Sequence, residues 1–129
     1  MKRPSSSSFK SRGGVQRITK AFGYSCQGLR SAYVHEAAFR QELLLCLVAV
    51  PIAFWLSKSW SQFFLLIASL FFILIIELLN SAVETLADAV QPDYHPLVGR
   101  AKDIGSAAVL LSFVVAICVW AAVLIPNYF

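Results

Sequence analysis

The sequence predicts an all-α membrane protein, with an amphipathic helix at the membrane surface followed by three transmembrane helices. Of its 129 residues, 58% are apolar and only 14% are charged. A soluble globule of this size needs more polar surface than that to cover its core. The apolar residues also lie in three long blocks, which is the arrangement that a bilayer requires.

The segment before the first span is predicted to contain a tail and a surface helix. Residues 1–14 read as a flexible basic tail because serine and glycine are frequent there. From Val15 to Tyr33, apolar residues recur at three- and four-residue steps with cations between them. This pattern predicts an amphipathic helix over residues 15–34 that lies in the membrane interface. The alternative is an ordinary surface helix packed on protein. Residues 15–129 are expected to form a single membrane domain.

Positive charge is concentrated at the N-terminal end of the chain. The formal net charge is +4, and seven cations precede the first acidic residue, Glu36: Lys2, Arg3, Lys10, Arg12, Arg17, Lys20 and Arg30. Beside a membrane domain, such a basic arm is expected to bind anionic lipid and to stay in the cytoplasm. The alternative is that it binds nucleic acid. The polar start does not resemble a cleavable signal peptide. The three cysteines have neither zinc-site nor disulfide-framework spacing.

The three spans are predicted over residues of about 37–57, 62–90 and 102–125. The first apolar run, Leu43 to Leu56, reaches spanning length only when it is extended back through Ala37. Pro51 should kink that helix. Two prolines mark Gln91 to Gly99 as a polar loop. The positive-inside rule then places the N-terminus and this loop in the cytoplasm.

One face of the second span carries polar side chains in a row, which are Glu77, Asn80, Ser81, Glu84 and Asp88. At about 100° per residue they occupy roughly a quarter to a third of the helix circumference. Burying an isolated carboxylate costs several kcal/mol, so an acidic group within a span indicates a functional site. The alternative is a solvated helix end whose carboxylates pair with Arg100 and Lys102.

Further charged groups border this acidic face. Glu36 precedes the first span and could simply pair with Arg40 four residues later. The Arg40–Glu42 segment lies near the start of that span, where it could be only an interfacial anchor. Lys102 and Asp103 begin the third span, where capping and anchoring are the alternatives. Carboxylates can hold a magnesium-type cation together with substrate phosphates, while nearby cations hold the phosphates themselves. The set therefore favours phosphoryl transfer to a lipid hydroxyl. No Walker A motif, kinase catalytic loop or nucleophile elbow is present.

Three separated blocks resemble the prokaryotic integral-membrane diacylglycerol kinases in order and spacing. They are His35-Glu36-Ala37-Ala38-Phe39-Arg40-Gln41-Glu42, then Glu77-Leu78-Leu79-Asn80-Ser81-Ala82-Val83-Glu84 followed by Asp88, and Gly99-Arg100-Ala101-Lys102-Asp103-Ile104-Gly105-Ser106-Ala107-Ala108-Val109. The resemblance extends from about Arg17 to the C-terminus. It implies a homotrimer in the bacterial inner membrane, with active sites shared between subunits. It also implies transfer of the γ-phosphoryl group of MgATP to diacylglycerol, giving phosphatidate.

The resemblance also implies roles for individual residues. Glu77 would be the general base, supported by Asn80, and Glu36 and Glu84 would hold Mg²⁺. The nucleotide would contact Arg17, Tyr24, Glu36, Glu84, Asp93, Tyr94, His95, Lys102 and Asp103. The lipid would contact Arg17, Arg30, Phe39, Glu42, Trp55, Glu77 and Ser106. Cys26, Pro51 and Ala87 depart from the family pattern, but none of these is a catalytic candidate.

Two other functions compete with this one. A sister branch of the same fold phosphorylates undecaprenol, although the Phe39–Glu42 and Gly99–Val109 blocks look closer to the diacylglycerol branch. A small transporter subunit would use Glu77 as a proton or cation site. Such a site is expected near the bilayer midplane, whereas these carboxylates are predicted to cluster at one membrane surface.

Overall fold

The computed structural model describes residues 13–90 and 92–129, which form four helices. They are α1 (Gly14–His35), α2 (Ala37–Leu56), α3 (Trp60–Val90) and α4 (Pro96–Tyr128). Helices α2, α3 and α4 are each long and apolar enough to cross a membrane, which confirms the prediction of an all-α chain with three candidate spans. The chain divides into two compact units, one ending at Ser31 and the other comprising Ala32–Phe129. Most of the predicted tail, residues 1–12, lies outside the described residues.

Helix α1 covers the predicted surface helix and is one residue longer at each end. Its location in a membrane interface stays a prediction. The last carbonyls of a helix lack partners within that helix. At the end of α1, Arg40 is the partner of two such carbonyls. Its Nη1 donates to the carbonyl oxygens of Tyr33 at 2.9 Å and Val34 at 3.1 Å. Within the described residues Glu36 and Arg40 form no ion pair, so the simple pairing considered for them is wrong.

Helix α2 runs without interruption through Pro51 and ends at Leu56, one residue before the predicted end. The Ser57 hydroxyl closes it by donating to the Ala53 carbonyl at 2.6 Å. Helix α3 begins at Trp60, two residues earlier than predicted. The Trp60 ring is 68% exposed at this turn, as expected of an aromatic anchor at a membrane surface.

Helix α4 extends beyond the predicted third span, residues 102–125, at both ends. It starts at Pro96, so the prediction of a loop over Gln91–Gly99 is wrong for residues 96–99. A proline fits the first position of a helix because its missing N–H would have no partner there. His95 caps this end, since its Nδ1 accepts from the Leu97 backbone N–H at 3.2 Å. The helix also continues past the predicted end at 125 to Tyr128.

Helix α3 lies between α2 and α4 and packs most extensively against α4. Small side chains permit this approach: Ser112 and Ala116 on α4 are buried. A hydrogen bond of 3.2 Å from the Trp120 indole to the Ser69 hydroxyl links the two helices. The Cys46 thiol of α2 donates to the Leu70 carbonyl of α3 at 3.7 Å. Both neighbouring helices are therefore linked to α3 by a hydrogen bond.

Candidate active site

The polar face of α3 passes from buried to exposed along the helix. Glu77 is 4% exposed and Ser81 is 7% exposed. Glu84, two turns after Glu77, is half-buried. The side chain of Asp88 is 70% exposed. Because an α-helix rises about 1.5 Å per residue, Glu77 lies roughly 16 Å deeper along the axis than Asp88.

A second buried carboxylate, Glu42 on α2, adds to this face. Glu42 is 9% exposed, and its Oε2 has no hydrogen-bond partner among the described residues. The charge of Glu77 acts on Glu42, and the charges of Glu84 and Glu36 act on Glu77. Several like charges in poorly solvated surroundings repel one another unless a cation offsets them. Charge interactions thus link four of the predicted site carboxylates beside the C-terminal half of α3: Glu36, Glu42, Glu77 and Glu84.

Asn80 contributes one hydrogen bond and one buried amide oxygen to the site. Its Nδ2 donates to Glu84 Oε1 at 3.1 Å, which fixes one oxygen of that carboxylate. Its Oδ1 is buried and accepts no hydrogen bond from the residues that the structure describes. Ser81 lies one turn after Glu77 on the same face of α3. Its buried Oγ has no hydrogen-bond partner among the described residues.

Carboxylate oxygens are the type of ligand that a hard divalent cation such as Mg²⁺ prefers. Glu36, in the extended position immediately before α2, and Glu84 are both half-buried, so their oxygens stay accessible from outside. Within residues 13–90 and 92–129, no group of three acidic, histidine or cysteine side chains is placed to hold a metal together. Magnesium is usually bound by one or two carboxylates and completes its shell with water and substrate phosphates.

At the exposed end of the site, Lys102 Nζ donates to Asp88 Oδ1 at 2.7 Å. The family resemblance implies a nucleotide contact for both Lys102 and Asp103, and Asp103 is exposed on α4. The pairing considered for a solvated helix end is therefore present at Asp88. The predicted nucleotide-contacting residues Asp93 and Tyr94 are exposed in the turn before α4.

The predicted lipid-contacting residues are placed unequally. Phe39 is 4% exposed one turn before Glu42 on α2, close to the carboxylates. Trp55 is 78% exposed and lies at the opposite end of the helix, about 20 Å along the axis from Glu42. Ser106 is exposed on α4. The other two lipid candidates, Arg17 and Arg30, lie on α1 in the other compact unit and are exposed there, as is the nucleotide candidate Tyr24.

One contact of the site was not predicted from the sequence. Gly105 on α4 faces the Asn80 amide so closely that a Cβ at this position would overlap Oδ1. The sequence signal for it is weak, since Gly105 begins a run of small residues that suggests helix contact in general. It does not indicate which side chain of α3 is contacted.

The chain is similar to proteins of known family over most of its length. Residues 23–124 match the family model described as prokaryotic diacylglycerol kinase. The chain is 50% identical over 115 residues to a protein of Escherichia coli named diacylglycerol kinase, covering 89% of this chain and 94% of the relative. Relatives of the same name from Pseudomonas aeruginosa and Helicobacter pylori are 46% identical over 121 residues and 36% identical over 115 residues. These two alignments cover 94% and 89% of this chain, and 98% and 90% of the respective relatives. The chain therefore belongs to the prokaryotic diacylglycerol kinase family.

Proposed function

We propose that this protein is a membrane lipid kinase that transfers the γ-phosphoryl group of ATP to the hydroxyl of diacylglycerol, giving phosphatidate and ADP. The observation that carries the proposal is the buried carboxylate of Glu77, 4% exposed, on a helix able to span a membrane. Its depth suits a hydroxyl group of a lipid that stays in the bilayer. The names of the relatives support the choice of diacylglycerol.

In the proposed reaction, the diacylglycerol hydroxyl oxygen forms a bond to the γ-phosphorus of ATP. The bond between this phosphorus and the oxygen bridging to the β-phosphate breaks, and ADP leaves. The Glu77 carboxylate takes the hydroxyl proton. Glu36 and Glu84 would hold Mg²⁺, which would neutralise phosphate charge. Asn80 supports the site by orienting Glu84 through its 3.1 Å hydrogen bond.

The nucleotide is proposed to bind at the exposed end of the site, where cations and polar groups are available. Lys102 would leave its 2.7 Å ion pair with Asp88 and contact the phosphates, because this pair is partly solvated and therefore weak. The other proposed nucleotide contacts are Arg17, Tyr24, Asp93, Tyr94, His95 and Asp103. The lipid would lie along Arg30, Phe39, Glu42, Trp55 and Ser106.

The location and the assembly belong to the same proposal. The bacterial inner membrane would hold the three spans, with the basic N-terminal arm and the α3–α4 turn in the cytoplasm. This orientation places the site where ATP is available. Large apolar side chains such as Leu47, Leu110 and Ile117 are more than half exposed in the single chain. Lipid and neighbouring subunits of a homotrimer would cover them.

Asp88→Asn is expected to leave most of the kinase activity intact. The substitution removes the ion-pair partner of Lys102, but exposed ion pairs contribute only about 0–1 kcal/mol to stability. Turnover and the unfolding temperature of the purified variant should therefore stay close to those of the wild type. A loss of activity as large as that expected for Glu77→Gln would show that Asp88 takes part in the reaction directly.

Parallel assays with two lipids test the proposed function. The purified protein in mixed micelles is given ATP, Mg²⁺ and either diacylglycerol or undecaprenol, and phosphorylated lipid is measured. We expect phosphatidate as the main product, because the relatives are named for diacylglycerol. Phosphorylation of undecaprenol alone would assign the chain to the other branch of the fold, and no phosphorylation of either lipid would refute the kinase function.

A further inference from the structure

Gly105 of α4 and Asn80 of α3 meet at the closest glycine contact in the described part of the chain. A Cβ at position 105 would overlap Asn80 Oδ1 and would lie 3.4 Å from Asn80 Cγ. At Gly99, one and a half turns earlier in the same helix, a Cβ would meet only a ring carbon of Tyr94, at 3.7 Å. The two glycines of α4 therefore differ sharply in what a methyl group would displace.

The orientation of the Asn80 amide is determined by Glu84. A carboxylate oxygen only accepts hydrogen bonds, so the amide nitrogen of Asn80 must face it. The observed bond from Asn80 Nδ2 to Glu84 Oε1 measures 3.1 Å. The amide oxygen then has to point toward α4, where it is buried without a partner among the described residues. Gly105 provides the space for this oxygen because it has no side chain.

We propose that Gly105 is a positioning residue, which acts through Asn80 to hold the Glu84 carboxylate in place for the metal. This inference rests on the proposed role of Glu84 as a magnesium ligand. An alanine at position 105 would force the Asn80 amide to rotate, and the bond to Glu84 would break. Loss of a group that orients a metal ligand typically reduces metal affinity or activity by about 10–100-fold.

The position of the Asn80 amide can be observed without any activity measurement. The chain contains only two asparagines, Asn80 and Asn127, so selective ¹⁵N-asparagine labelling gives two side-chain amide signals in the full-length protein in micelles. Asn127 pairs with Gln62 at the other end of α3 and α4, by bonds of 3.1 and 2.9 Å. Asn80→Ala removes one signal and so assigns both.

Gly105→Ala should shift the Asn80 amide signal and leave the Asn127 signal unchanged. Gly99→Ala is the matched control, because it adds the same methyl group to the same helix with ordinary contacts only. It should leave both signals in place. An Asn80 signal that does not move in Gly105→Ala, or that moves equally in Gly99→Ala, would overturn the proposal.

A double-mutant cycle links this contact to the metal. Gly105→Ala should raise the Mg²⁺ concentration for half-maximal activity by about 10–100-fold in the wild-type background. In the Asn80→Ala background the same change should have less than about a twofold effect, because the displaced group is already absent. An unchanged requirement in the wild type, or an equal rise in both backgrounds, would contradict the proposal. Failure of the metal role itself is read separately, from Glu84→Gln.

Discussion

Glu77→Gln is expected to lower kcat by about 10²–10⁴-fold, the usual contribution of a general base. Glutamine has nearly the same shape as glutamate but cannot take a proton from the attacking hydroxyl. The variant should still fold, because removing one of several mutually repelling carboxylates leaves the apolar packing of α3 unchanged. Single-turnover kinetics, with the unfolding temperature and the oligomer size measured on the same sample, would check this.

Glu42→Gln is the matched comparison for that variant, because Glu42 is the other buried carboxylate of the cluster, 9% exposed. If Glu42 only lines the path of the lipid, its substitution should raise KM for diacylglycerol more than it lowers kcat. The two variants would then separate binding from proton transfer. Near-normal turnover in Glu77→Gln would refute the assignment of the base.

The second large effect is expected for Glu84→Gln, which should raise the Mg²⁺ requirement at least about tenfold. Loss of a group that only supports a metal ligand already lowers metal affinity by about that factor, and loss of the ligand itself should lower it at least as much. The amide keeps an oxygen that can accept the Asn80 hydrogen bond, but it lacks the negative charge that attracts the cation. High Mg²⁺ should therefore restore part of the lost rate. Titration of Mg²⁺ at a constant ATP concentration measures this effect.

Asp88→Asn provides the control for Glu84→Gln, because it removes a carboxylate one turn further along the same helix. Asp88 is exposed and already paired with Lys102 at 2.7 Å, so its loss should change the Mg²⁺ requirement little. An unchanged requirement in Glu84→Gln would exclude a ligand role for Glu84. Equal increases in the two variants would point to general electrostatics instead of direct coordination.

The helices were predictable because a bilayer leaves few options for a chain with so little charge. Each span must satisfy its backbone hydrogen bonds internally and must be apolar over about 20 residues. These requirements are visible in the sequence, and the structure has three helices that are long and apolar enough to span a membrane. The boundary at Pro96 was missed because a proline either interrupts a helix or begins one. The choice depends on local geometry, here the cap formed by His95.

The candidate site was predictable only as a set of residues. Helical periodicity placed Glu77, Asn80 and Glu84 on one face, since that spacing is a property of the α-helix itself. The family resemblance named their roles, which stay proposals. The sequence allowed Arg40 to pair with Glu36, whereas in the structure Arg40 donates hydrogen bonds to the carbonyls of Tyr33 and Val34.

The chain's own periodicity and composition sufficed for its class, its three spans and the common face of its carboxylates, because these depend on interactions within single helices and with the bilayer. The partners of each side chain depend on how α2 and α4 pack against α3. That packing pairs Lys102 with Asp88 and places Gly105 against Asn80. Such contacts join residues distant in sequence. The pattern of residues along one helix does not determine its distances to other helices.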